Sequence, residues 1–176
     1  MKTILDKRKF NIVIERLAHQ LIENHNDFAN SVIIGIQPRG IYLSDRMVAY
    51  IEKIIGQKIN YGKLDITFYR DDFAKELHIP NQTEINFSIE NKQVILIDDV
   101  LFTGRTIRSA MDAILDFGRP QKVELVTLID RRYSRQLPIQ ADYVGLVIDS
   151  IVSQKVKVFW NEKDKKDEVI LLNENK

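Results

Sequence analysis

One stretch limits what this chain can fold into: Val94-Ile95-Leu96-Ile97-Asp98-Asp99-Val100-Leu101-Phe102-Thr103-Gly104-Arg105-Thr106. Gln93 and the four apolar residues after it read as a strand buried on both faces. Two adjacent carboxylates stand where that strand is expected to end. A Thr/Gly turn follows, and Ile107, Ala110, Met111, Ile114 and Leu115 recur at helical spacing. In an open α/β sheet, ligands sit beyond the carboxyl ends of the strands. A helix starting near Gly104 would aim free backbone N–H groups and its positive dipole end at an anion. Gly104 lets the main chain approach a phosphate closely, and Thr103 and Thr106 add hydroxyl donors. Asp98 and Asp99 cannot bind that phosphate, but they suit vicinal hydroxyls or a hydrated magnesium ion. One end takes a phosphate and the other a diol, and ribose 5-phosphate has both. Two acids alone often do no more than close a strand. The whole run in register is far more specific.

The rest of the chain supplies a frame for this segment. Asp6 is a candidate N-cap for a helix to about Asn24, with Phe10, Val13, Ile14, Leu17, Ala18, Leu21 and Ile22 as its buried stripe. Ser31 to Ile36 is a short buried strand ending in Gln37-Pro38-Arg39-Gly40. In this second strand-end loop Arg39 could grip a pyrophosphate, and Gly40 opens a helix from Ile41 to about Ile55. Ile59 to Phe68 reads as a strand with Gly62 as a bulge. The polar stretch over about 69–91, starting Tyr69-Arg70-Asp71-Asp72, is too long for an ordinary connection and reads as a lid. Gly118 ends the helix after the central motif, and Lys122 to Ile129 is a strand leading into Asp130-Arg131-Arg132. Gln154 to Trp160 and Val169 to Leu172 alternate around a charged turn, as in a β-hairpin.

The chain has 176 residues and contains 26 Lys+Arg, 25 Asp+Glu and no cysteine. That length fits one domain, 1–176, able to bury a substantial core. Without cysteine, disulfides, thiolate zinc sites and a Cys nucleophile are excluded, and the three His residues form no metal-binding pattern. The N-terminal segment is broken by charge before a signal core could form, and no apolar run approaches a membrane span. A cytoplasmic protein without membrane partners is therefore expected. A net charge of +1 leaves any nucleic-acid surface to a local patch.

The central run resembles the phosphoribosyl pyrophosphate (PRPP) signature of type I phosphoribosyltransferases. The segments 34–43, 64–72, 118–120 and 137–143 extend the likeness over nearly the full length. The chain is identified as a member of the PyrR family, pyrimidine-operon attenuation proteins with uracil phosphoribosyltransferase activity. The resemblance implies an α/β fold with a central, mostly parallel sheet flanked by helices, a hood over about 130–153 and a C-terminal β-hairpin. It implies that Asp98 and Asp99 hold the ribose hydroxyls, directly or through the waters of Mg2+ carried by PRPP. It also implies a PRPP-binding run through Val100, Leu101, Phe102, Thr103, Gly104, Arg105 and Thr106, the last four cradling the 5-phosphate. Pro38, Arg39 and Gly40 would form the pyrophosphate loop, Arg70 would come from the lid, and Asp130 and Arg131 would belong to the base hood. Asp98, Asp99, Arg39 and Arg70 are thus the candidate catalytic residues, and a homo-oligomer, dimer or higher, is implied.

Several positions depart from the family pattern. Pro38 stands where Thr is common, Arg132-Tyr133 replaces Gly-His, Gln140 replaces a basic residue, and 145–151 is altered. On the first helix Arg16 and His19 remain as a candidate RNA face, but Glu15 replaces Thr. These changes remove positive charge from a phosphate-binding patch for an mRNA leader. The leading expectation is transfer of ribose 5-phosphate from PRPP to uracil, giving UMP and pyrophosphate. The alternatives are a UMP-sensing RNA attenuator with weak or no catalysis, a transferase for a purine base, and a phospho-acceptor domain using the Asp pair. The last leaves Thr103 to Thr106 without a task.

Overall fold

The computed structural model describes residues 1–70, 80–150 and 153–173; Asp71 and Asp72 of the expected lid, and Ile151 at the end of the altered 145–151 segment, lie outside them. In chain order the elements are β1 (Lys2–Leu5), α1 (Lys7–His25), β2 (Ser31–Ile36), α2 (Gly40–Ile55), β3 (Tyr61–Leu64) and β4 (Gln93–Leu101). They continue with α3 (Arg105–Ile114), β5 (Lys122–Arg131), β6 (Tyr143–Ile148), β7 (Gln154–Phe159), the short α4 (Asn161–Asp164) and β8 (Glu168–Asn173). Five strands form a parallel sheet in the order β3-β2-β4-β5-β6. The other three form an antiparallel sheet, β1-β8-β7.

β4 is the middle strand of the main sheet and divides its hydrophobic core. Ile95 and Ile97 point into the cluster shared with α1 and α2, including Phe10, Leu17, Leu43 and Met47. Val94 and Leu96 point to the opposite face, among Ile107, Ala110 and Ile114 of α3. Burial on both sides explains why this strand is apolar without alternation. Asp6 caps α1 by accepting the Lys9 backbone N–H at 2.9 Å. Gly56, in the left-handed region at φ 73°, closes α2.

Several expectations change. β4 runs through Asp98 and Asp99 to Leu101, so the acids lie within the strand, held by parallel pairing of Asp98 with Thr127 and Leu101 with Asp130. The strand expected over 59–68 is only Tyr61–Leu64, after which Thr67–Tyr69 forms a 3-10 turn. Gly62 is no bulge; a Cβ there would come within 2.9 Å of the Glu84 carbonyl oxygen. That close approach accompanies a bridge between Lys63 and Glu84. Within the stretch 69–91 expected to form a lid, Ile89 is buried and Ile85 and Phe87 pack against the α3 face of the core. Finally, the C-terminal hairpin gains a third strand: β1 pairs Thr3 with Ile170 along β8. A four-residue strand that opens on a lysine carries too short a pattern to announce this.

Candidate active site

Strand alternation gives the two acids different surroundings. Asp98 faces a chamber of about 250 Å³ whose lining includes Arg70 and the run Thr103 to Ile107. Asp99 faces a larger one of about 830 Å³, lined by Arg39, Arg131 and the residues of β7 from Gln154 to Val158. Val100 and Phe102 line both chambers. Neighbouring carboxylates on one strand therefore look into two adjoining spaces, with the backbone between them.

The smaller chamber has the features of an anion site. Gly104 adopts φ 92°, a conformation costly for any residue with a Cβ, and α3 starts immediately after it without a side-chain cap. Its first backbone N–H groups are thus available to a ligand, apart from that of Arg105, which leans on Thr103 Oγ1 at 3.3 Å. The loop is held from behind, where the Gln136 and Leu137 N–H groups donate to the Thr103 carbonyl. Arg105 Nε donates to Gln136 Oε1 at 2.8 Å. Arg135 fastens the strand end by donating to the Leu101, Phe102 and Ile139 carbonyls and by pairing with Asp130.

In the larger chamber, Arg39 donates from Nε to Asp99 Oδ2 at 3.2 Å and from Nη2 to the Val158 carbonyl. Pro38, joined to Gln37 by a cis peptide, precedes it. Gly40 brings the start of α2 onto β4 so closely that a Cβ would lie 2.5 Å from the Ile97 carbonyl oxygen. Arg131 stacks on Phe102, its guanidinium carbon 3.8 Å from the ring centroid, and donates to Ser150 Oγ and the Gln154 carbonyl. The wall opposite Asp99 is β7, joined by Arg131 from the stretch 130–153 expected as a hood. Residues 143–148 are instead an edge strand of the main sheet.

Charge is poorly solvated here. Burial, reinforced by the neighbouring Asp99 charge, pushes Asp98 up to about 8, against the favourable fields of Arg70 and Arg39. Burial also raises Asp99, against its ion pair with Arg39. Such a pair binds a proton or a ligand's hydroxyl groups more readily than it stays bare. At the rim, burial alone would raise Asp65, but hydrogen bonds from Thr67 and Asn81 hold it below the usual carboxylate range.

Comparison with known proteins places this geometry in a family. The phosphoribosyl transferase domain matches residues 1–163. The bifunctional protein PyrR of Desulfosudis oleivorans is 47% identical over 170 residues, 96% of this chain and 94% of that protein. The PyrR of Bacillus subtilis is 42% identical over 172 residues, 96% and 94% of the two chains. This chain belongs to the PyrR family. A solved hypoxanthine phosphoribosyltransferase of Trypanosoma cruzi shares the fold, with a TM-score of 0.74 at 15% identity over 98% of this chain and 97% of that one.

Within this PyrR-family chain, the structure brings Asp98, Asp99, Arg39, Arg70, Arg131 and the 100–106 run around the two chambers. Asp130 stands beside them, committed to Arg135. Arg16 and His19 are elsewhere, on α1. Arg16 donates to the Val144 and Gly145 carbonyls, and His19 meets the Tyr50 hydroxyl at 3.2 Å, so both also serve the fold. Sequence reasoning missed the β7 wall, Arg135 and Trp160. The first two act through long-range backbone contacts that leave no local pattern. The signal for Trp160 was its being the one tryptophan of the chain, at the end of an alternating strand.

Proposed function

We infer that this chain transfers ribose 5-phosphate from PRPP to uracil, giving UMP and pyrophosphate. The observation that carries this is the pairing of an anion-suited helix start with two buried carboxylates on one strand, flanked by Arg39 and Arg70. In this reading Thr103, Gly104, Arg105 and Thr106 hold the 5-phosphate, and Asp98 and Asp99 hold the ribose hydroxyls. Arg39, with Pro38 and Gly40 setting its loop, turns to the pyrophosphate, and Arg70 adds a second positive charge. The base lies in the larger chamber between Phe102–Arg131 and β7. The bond from ribose C1 to pyrophosphate breaks with its electron pair leaving on oxygen, and uracil N1 forms the new bond to C1 while its own proton passes to solvent or to the released pyrophosphate. Positive charge grows on the sugar beside two carboxylates while negative charge leaves beside two arginines, so catalysis is largely electrostatic and positional.

Magnesium fits this site as a companion of the substrate. Among the described residues no group of three or more His, Cys, Asp or Glu side chains could hold a metal. Asp98 and Asp99 are a pair only, which suits contact through water to an ion carried by PRPP. Bound there, it would offset charge on the leaving pyrophosphate.

Size does not choose the base, because about 830 Å³ admits a pyrimidine or a purine. Incubation with PRPP and magnesium, offering uracil, hypoxanthine and guanine in parallel with Asp99→Asn as control, tests the assignment. UMP from uracil alone, lost in the control, is expected; a purine nucleotide product would overturn the base. A second reading, mRNA-leader binding governed by UMP, is favoured by the name bifunctional carried by the relatives. Salt-dependent leader binding weakened by Arg16→Ala would support it. A cytoplasmic homo-oligomer, dimer or higher, is also proposed; Phe68 and Leu115, 75% and 59% exposed, suit burial between copies. Light scattering tests this, and no helix among the described residues is long and apolar enough to cross a membrane.

A further inference from the structure

Arg70 lines the phosphate chamber, and its charge favours the ionised form of Asp98, yet it stands on a weak footing. It follows the 3-10 turn Thr67–Tyr69, in which no residue is buried; Tyr69 is 39% exposed. Segments with few buried contacts open readily. Hydrogen bonds therefore decide where this turn, and Arg70 after it, is placed. Local ones shape it: the Thr67 N–H donates to Asp65 Oδ1 at 2.8 Å, and the Tyr69 N–H to the Ile66 carbonyl at 3.0 Å. Both tie the turn only to the residues just after β3. A third reaches much further. The Tyr69 hydroxyl donates to Asp116 Oδ2, 47 positions along the chain, and this carboxylate holds the phenol above the usual tyrosine range.

Asp116 belongs to the short turn Leu115–Phe117 that extends α3. The helix has ten residues and so runs about 15 Å. Its first residues, Arg105 to Ile107, line the phosphate chamber together with Arg70. Two adjacent side chains thus serve opposite ends of one helix: Tyr69 grips the far end, and Arg70 joins the chamber at the near end. The 3-10 turn itself packs on α3. The cation and the phosphate loop are in this way both fixed to a single rigid rod.

We propose that Tyr69 is a positioning residue: its hydroxyl, seated on Asp116, straps the 3-10 turn along α3 and so holds Arg70 at the phosphate loop. This rests on the phosphoribosyl-transfer reading of the site. Tyr69 acts through Arg70, and a phenylalanine in its place would keep the ring and lose only the strap.

The test is a double-mutant cycle of Tyr69→Phe and Arg70→Gln, read as the dissociation constant for PRPP with magnesium by titration calorimetry. Tyr69→Phe is expected to weaken PRPP binding about fivefold, the loss of one net hydrogen bond. Asp116→Ala removes the acceptor from the other side and should do the same, with no further loss when the two are combined. In the Arg70→Gln background Tyr69→Phe should add almost nothing, because no guanidinium is left to place. A packing role of the tyrosine would give additive losses there and overturn the proposal. Unchanged PRPP binding in Tyr69→Phe also overturns it. In initial rates the loss should fall on KM for PRPP and leave KM for uracil in place. Equal rises in both would mean general loosening of the fold and count against the strap. Absence of PRPP binding by the wild type would sink the transferase reading and this one with it. Wild-type binding with any of the contrary results removes only the role of Tyr69.

Discussion

Gly40→Ala is the sharpest test of how the fold sets the site. The added methyl would stand 2.5 Å from the Ile97 carbonyl oxygen and 3.0 Å from Asp98 Cα, where ordinary contact begins near 3.4 Å. Both neighbours are backbone atoms of the central strand, so the start of α2 must retreat by close to an ångström. Overpacking of this kind costs about 1–3 kcal/mol, which in a chain of this size lowers Tm by roughly 3–10 °C. The retreat carries Arg39 away from Asp99. A misplacement of that size at a reacting centre costs on the order of a hundredfold, here expected in kcat/KM for PRPP. Gly56→Ala separates the two effects. Gly56 has φ 73° and nothing within 4 Å of where its methyl would stand, so the substitution should cost about 1–2 kcal/mol of stability through backbone strain alone. Its KM for PRPP should not move. Thermal melts and initial rates with varied PRPP read both variants. Wild-type kinetics in Gly40→Ala, or an equal kinetic loss in Gly56→Ala, would refute the reasoning.

Three further outcomes are expected. Asp98, raised to about 8, holds a proton in the folded ligand-free state that the unfolded chain gives up near pH ~4, so stability should fall as pH rises between those values. Asp98→Asn should therefore melt higher than wild type at pH 8 while binding PRPP more weakly, and a lower melting point would count against it. Glu124 hydrogen-bonds His25 at 2.8 Å and Tyr143 at 3.1 Å. Burial alone would raise it, but Lys122, His25 and Tyr143 hold its pKa low, so its contribution is present above the unfolded value and lost as pH falls through the folded one. Glu124→Gln should cost ~1–3 kcal/mol in urea unfolding at pH 7 and leave KM unchanged. Asp65→Ala removes the acceptor of the Thr67 and Asn81 N–H groups, and should raise KM for PRPP because Arg70 lies just beyond that turn. An unchanged KM would show that Arg70 is held independently.

What the sequence disclosed follows from how far each signal reaches. The strand-turn-helix run around Asp98 and Gly104 was legible because apolar burial, adjacent acids and a left-handed glycine all fall within a short segment. Asp6 marked a helix start for the same local reason. The strand's extension through its acids was not legible, because Asp is a poor strand former and only pairing with Thr127 and Asp130 holds it there. Ile85, Phe87 and Ile89 sat in a polar stretch whose few apolar residues showed no period, yet they dock as a group on the α3 face. The β7 wall was read correctly as a strand, but its place beside the site was not legible, since nothing local says which loop a terminal strand will face.

β1 pairs with β8, and Thr3 Oγ1 reaches Glu168 across 165 positions of chain. During synthesis the first strand must therefore wait, unpaired, for almost the last one before the small sheet that walls the site can form. A chain halted before Glu168 would already contain the phosphate loop, both acids and Arg39, and still have no support for β7. Competence is thereby tied to completion of this sheet: nascent or prematurely terminated chains carry the chemistry without an enclosed place to perform it.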